Sequence, residues 1–163
     1  ERLQNAEQEV LRDSYQLIQK ERADLRHQMS REMSRRDLEA RKELLALRRD
    51  MTERIFADAE ATLRAYVETP PYIEHLKASL AALAKVLPAE GTVFEIARRD
   101  GALLDILRPL CPPGASIGLA DDIVLGGMRG VNAAAGMLAD DTLDTRLESQ
   151  REWFVSHSGL TVG

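Results

Sequence analysis

Neither glycine nor proline occurs in the first 69 residues, and both then recur from Pro70 onward. Their absence excludes tight turns and bends from that stretch and leaves a long helix as the simplest conformation. Aromatic residues make up only 4% of the chain, which suits one small globular domain at most, beside something extended and solvated. There is no excess of basic charge: the formal net charge is −5, so nucleic acid is not the expected partner. The single cysteine, Cys111, excludes an internal disulfide and fits a reducing compartment. No run of eighteen apolar residues exists, so no direct membrane span is expected. Glu1 stands at the front of an already helical pattern, and the expectation is a fragment without its native start.

What the first stretch does contain is charge of both signs, closely interleaved. Residues 1–68 carry 14 Lys or Arg and 15 Asp or Glu, a near-neutral mixture that suits a helix laced by side-chain pairs. Glu32 with Arg36, Asp37 with Arg41, Asp50 with Arg54 and Glu60 with Arg64 each place the acid four residues before the base. That is the better orientation, at about 0.2–0.5 kcal/mol per pair. At about 1.5 Å per residue, such a helix would reach roughly 100 Å, so most of it is expected to project from any small domain.

Among the charges runs an apolar stripe: Ile18, Leu25, Met29, Met33, Ala40, Leu44, Leu47, Met51 and Ile55, interrupted by Arg22 and Arg36. Its steps of four, three and four residues repeat every eleven residues in three turns. A heptad through Ala40 and Leu44 fails, because it calls for apolar residues at Ser30, Asp37, Arg54 and Asp58. Eleven residues in three turns is about 3.67 per turn, so two helices sharing this pattern should wrap with a right-handed or nearly straight geometry. The two arginines can lay their stems along the stripe with the charges in water. A free-standing helix would leave the whole stripe in water, so a partner helix is expected at these residues.

The second half predicts a small head. Thr69 reads as an N-cap, with Pro70 in the first turn of an amphipathic helix carrying Ile73, Leu76, Leu80, Leu83 and Leu87 up to Pro88. TVFEIAR (92–98) reads as a mostly buried strand, Asp100 as the cap of a short helix, and SIGLAD (116–121) as a second strand. IVLGGMRGVNAAA offers a third, bent at Gly126 and Gly127, and Met137 begins a return strand. Asp141 or Thr142 caps a last helix carrying Leu143, Leu147, Trp153 and Phe154. The expected class is therefore α+β: an extended coiled-coil-type helix over 1–69, then a globular α/β head over 70–163.

Catalytic patterns are thin. GGMRG (126–130) lacks the spacing and the lysine of a phosphate loop. Cys111 is followed by Pro112 and Pro113 and has no nearby histidine, while His27, His75 and His157 are scattered. Asp121-Asp122 and Asp140-Asp141 read as turn and capping acids. The expectation is a non-catalytic protein with no metal and no cofactor.

LGGMRGVNAAAGMLADDTLDTRLESQREWF (125–154) resembles the end of the E-type peripheral-stalk subunits of the A/V-type rotary ATPases. That family closes on a glycine-led strand, a turn, a second strand and a motif of the type N-T-L-[DE]-x-R-L. Here Gly126 and Gly127 lead the strand, and Asp141, Thr142, Leu143, Asp144, Thr145, Arg146 and Leu147 stand at the motif, with aspartate for the usual asparagine. The resemblance covers the whole layout, although SHSGLTVG (156–163) departs from the family's usual ending. It implies pairing with the G/H-type stalk subunit in a heterodimeric coiled coil. It also implies docking of the head on the ATPase headpiece, chiefly on its B-type subunit and secondarily on its A-type subunit. The N-terminal end would contact a membrane-sector stator subunit, at a cytoplasmic, membrane-peripheral location. Thr142, Leu143, Arg146 and Leu147 would organise the head, with Arg146 either a salt-bridge anchor or a docking residue. Two rival plans share this layout, a stator-like regulator of a secretion-system ATPase and a homodimeric coiled-coil scaffold. An enzyme head using the GGMRG loop is a further alternative.

Overall fold

The computed structural model describes the backbone of residues 2–158 and the side chains from residue 5 to 158; the tail beyond Ser158 lies outside the described residues. Helix α1 runs without a break over Arg2–Tyr66. Of its expected ion pairs, Glu32–Arg36 (2.9 Å), Asp37–Arg41 (3.1 Å) and Glu60–Arg64 (2.6 Å) are formed, and Glu32 also holds Arg35 at 3.0 Å. Asp50 and Arg54 do not pair.

The chain divides into two compact units, 1–49 and 50–163. The first is helix alone. The second takes in the last part of α1, then α2 (Pro71–Val86), strand β1 (Thr92–Ala97), a 3-10 turn at Arg98–Leu103, short helix α3 (Leu104–Leu107), a second 3-10 turn at Arg108–Leu110, β2 (Ser116–Ala120), β3 (Gly127–Asn132), β4 (Met137–Thr142) and α4 (Leu143–His157). The expected division lies at residue 69/70; α1 ends at Tyr66, and the second compact unit begins at Asp50. Phe56 and Val67 explain the earlier start, because both are buried in the head although they follow Asp50 on the chain before α2.

The strands form one mixed sheet in the order β2-β1-β3-β4. β1 runs parallel to β2 and antiparallel to β3, which pairs antiparallel with β4. The parallel pair needs a crossover, and the 3-10 turns with α3 supply it. α2 covers one face, setting Tyr72, Leu76, Leu80, Leu83 and Leu87 into a core with Phe94, Ile96, Ile117, Met128 and Leu143.

Several local expectations are corrected. Helix α2 starts at Pro71 behind Pro70, and Thr69 does not cap it; its hydroxyl instead donates back to the Tyr66 carbonyl at 2.5 Å. Tyr72, at 1% exposed, takes the buried place expected for the half-buried Ile73. β1 alternates more than expected, since Val93 faces water between buried Thr92 and Phe94. Asp100 does not cap a helix; it is buried against Tyr72. Trp153 is exposed, while Phe154 meets Phe56 edge to face with ring centroids 5.7 Å apart. The β3–β4 turn, built from alanines, is fixed by the Asn132 side chain, which accepts from the Ala135 amide at 2.9 Å.

Candidate functional site: the helix stripe and the glycine junction

Two sets of residues stand out in the sequence, and they belong to different surroundings: an exposed stripe on α1, and a buried junction where β3 meets α4.

Within the first unit, Ile18, Leu25, Met29, Met33, Ala40, Leu44 and Leu47 are all exposed. In the second unit Met51 and Ile55 are exposed as well, even though the neighbouring Phe56 is buried at 5%. The large side chains of the stripe range from 46% exposed at Leu44 and Ile55 to 70% at Met33. A chain covering its own stripe would hide these side chains; this one does not. The stripe also begins earlier than Ile18, where the expected seam starts. Carried back from Ile18, the eleven-residue repeat falls on Ser14 and Leu11; Leu11 is exposed, and Tyr15, also exposed, lies one residue off the repeat. Leu11 alone carries the apolar stripe further toward the front of α1.

The junction is organised by geometry that only glycine tolerates. Gly126 and Gly127 have φ of 129° and 87°, in the region that side chains rarely adopt. A Cβ on Gly127 would lie 2.8 Å from the Thr142 Cα, and one on Gly126 would lie 2.6 Å from the Tyr72 hydroxyl. This close approach lets the Leu143 amide donate to the Gly126 carbonyl at 2.9 Å, tying the start of α4 to the start of β3. The Gly127 amide donates to the Tyr72 hydroxyl at 2.8 Å, and that hydroxyl donates to Asp100 Oδ2 at 2.8 Å.

The DTLDTRL segment supplies the other half. Thr142 is the N-cap of α4, accepting from the Thr145 amide at 3.2 Å, and this resolves the choice between Asp141 and Thr142. Asp141 instead accepts from the Ser79 hydroxyl at 2.5 Å and from Arg146 Nε at 2.8 Å. Arg146 is thus an ion-pair anchor, although its side chain remains 57% exposed. Leu143 is core and Leu147 packs against that core. Asp144, which stands at the acidic position of the closing motif, receives the amides of Val124 (3.2 Å), Leu125 (2.9 Å) and Gly126 (3.4 Å). It fixes the loop that delivers the glycines, with partners about twenty residues away that only the fold brings together. Burial pushes the Asp140 carboxyl up, but the amide and hydroxyl of Thr142 and the hydroxyl of Thr145 together hold it below the usual carboxylate range.

This junction is tied together by its acidic side chains. Its acids are committed to backbone amides, hydroxyls and Arg146. Burial pushes the Cys111 thiol up, away from a reactive thiolate. Among the described residues no group of three or more His, Cys, Asp or Glu is placed to hold a metal ion, and no helix is long and apolar enough to cross a membrane.

Tyr72 provides a pH handle on the junction. Burial raises its phenol pKa above the ordinary value; the Gly127 amide pulls it down and Asp100 adds to the rise. A folded pKa above the unfolded one means stability is intact below about pH 10 and lost as pH climbs further. Tyr72→Phe should cost about 1–3 kcal/mol at neutral pH by stranding the Gly127 amide and Asp100. It should also flatten the alkaline decline in urea-unfolding midpoints. An equally steep decline in both chains would place that titration elsewhere.

No family model matches the chain, and no curated protein matches it in sequence.

Proposed function

We propose that this chain is a peripheral-stalk (stator) subunit of an A/V-type, proton- or sodium-translocating rotary ATPase or ATP synthase. The observation that carries this reading is the exposed apolar stripe on α1 from Ile18 to Leu47, continued by Met51 and Ile55. A long helix with an exposed oily edge, broken only at Arg22 and Arg36 within the stripe, is incomplete until another helix lies along it. The resemblance of the closing head segment names that helix as the G/H-type stalk subunit. The head docks on the B-type headpiece subunit, secondarily on the A-type one. The N-terminal end lies toward the membrane-sector stator, so that the chain works at the cytoplasmic side of the membrane. Its role is mechanical rather than catalytic: the paired helices carry bending and twisting load while the catalytic subunits push a rotor, and no cofactor is required. The glycine junction supports this role by making the head rigid enough to pass that load on.

The test is co-purification of the tagged chain from its source cell. Recovery of the A-type and B-type headpiece subunits of a rotary ATPase with a second stalk helix supports the reading. Recovery of export-apparatus proteins, or of the chain alone, overturns it.

A further inference from the structure

We infer that the loop at 124–126 is a cradle for a small oxyanion, and that the chain fills it from within, using the carboxylate of Asp144 as the ligand. The cradle is independent of the stalk reading and holds or fails without it. The sequence raises the question, because glycine loops hold anions and GGMRG (126–130) offers such a loop without a phosphate-loop lysine.

Four successive amides answer it. Those of Val124, Leu125 and Gly126 converge on the two oxygens of Asp144, at 3.2, 2.9 and 3.4 Å, and that of Gly127 goes to the Tyr72 hydroxyl at 2.8 Å. Backbone N–H groups that converge in this way form an anion-binding concavity. The φ values of 129° at Gly126 and 87° at Gly127 give the chain the turn this requires. Leu125 and Gly126 are buried, so their amides cannot turn to water, and leaving them unpaired would be costly.

The neighbouring arginines are engaged elsewhere. Arg129, the cation of the GGMRG motif, is held by Glu95 at 2.6 Å and by Asp122 at 2.5 Å. Arg99 donates to the Leu125 carbonyl. The Asp144 carboxylate is thus held by backbone amides, which read an oxyanion's lone pairs and not the side chain that carries them. What favours Asp144 over a free anion is tethering: its place in the first turn of α4 sets a local concentration that dilute anions do not match. Asp140 and Asp141 stand in the same closing segment, so a monoanion such as acetate should enter an emptied cradle more readily than a phosphate dianion.

Removing the tethered ligand tests this in full chains at neutral pH. Asp144→Ala should melt several degrees below the wild type. Sodium acetate should return about half of that loss or more, saturably, relative to sodium chloride at the same ionic strength. The wild type should gain nothing from acetate beyond chloride. Asp144→Asn should lose stability without acetate rescue, because its carboxamide still fills the space. In proton–nitrogen correlation spectra of Asp144→Ala, the acetate-dependent shifts should centre on the amides of Val124, Leu125 and Gly126. If Asp144→Ala does not fold, Asp144→Ser also vacates the cradle and takes its place; failure of both to recover in saturating acetate overturns the inference. An equal acetate gain in all chains overturns it as a general salt effect. A wild-type melting temperature for Asp144→Ala overturns it as well, because the amides would then need no anion. Phosphate recovering more than acetate overturns the preference for a monoanion.

Discussion

Leu143→Asp is expected to unfold the head while leaving most of α1 helical. Leu143 is 6% exposed and belongs to the core that α2 and the sheet share. It is also the first residue of α4, directly after the Thr142 cap, with its amide held by Gly126. A carboxylate at a helix start ordinarily gains from the helix dipole, by about 0.3–1 kcal/mol at the surface. Here that gain is outweighed, because a buried charge with no counterion costs about 3–5 kcal/mol. Asp140, Asp141 and Asp144 lie close in the chain and add repulsion rather than a partner. Against a total stability of about 5–15 kcal/mol for an ordinary domain, the loss is large. Urea unfolding of the full chain checks it, with Leu143→Met as a control expected to lose less than about 1.5 kcal/mol. A normal melting temperature for Leu143→Asp would mean that α4 is not seated in the core.

The same residue shows how far the sequence carries. Leu143 and Leu147 read as core from their helical spacing, and the Thr-Leu-Asp start of α4 from its capping chemistry. α1 is legible because nothing in its composition can break it. The four strands are legible from apolar runs separated by glycine, proline and acidic turns. What stays hidden depends on distant partners. The local pattern around Asp100 is that of a cap, and only the packing of α2 brings Tyr72 to within 2.8 Å of it. Asp144 looks like an ordinary first-turn acid until the fold brings the amides of Val124, Leu125 and Gly126 to its carboxylate. The start of the second compact unit at Asp50 is concealed for a related reason. A continuous helix can serve two neighbours on two faces, and Phe56 turns toward the head while Ile55, one residue before, stays in the stripe. Arg151 makes the point physically: it sits 4.8 Å over the Phe56 ring and pairs with Glu53 at 2.9 Å, across nearly a hundred residues of sequence.

Because the stripe and the head use different faces, damage to one should spare the other. Leu44→Asp combined with Met51→Asp is expected to abolish association with the partner helix and to leave urea unfolding of the head unchanged. Leu44 and Met51 are 46% and 49% exposed, so in the isolated chain their replacements stay hydrated. The intrinsic cost to the helix is at most about 0.7 kcal/mol per substitution. In a paired seam the same carboxylates lose their water, and the penalty for stranded charge at an interface runs to about 2–5 kcal/mol each. Two of them weaken binding by roughly three orders of magnitude or more. Leu38→Asp separates a specific seam from general stickiness. Leu38 is 54% exposed, comparable with the stripe residues, but lies two positions before Ala40 and so about 200° around the helix from it. Its substitution should leave partner binding intact. Pull-down and sedimentation with the co-purified partner read all three chains. Undiminished binding of the double variant, or equal loss in Leu38→Asp, would remove the stripe as the proposed partner surface.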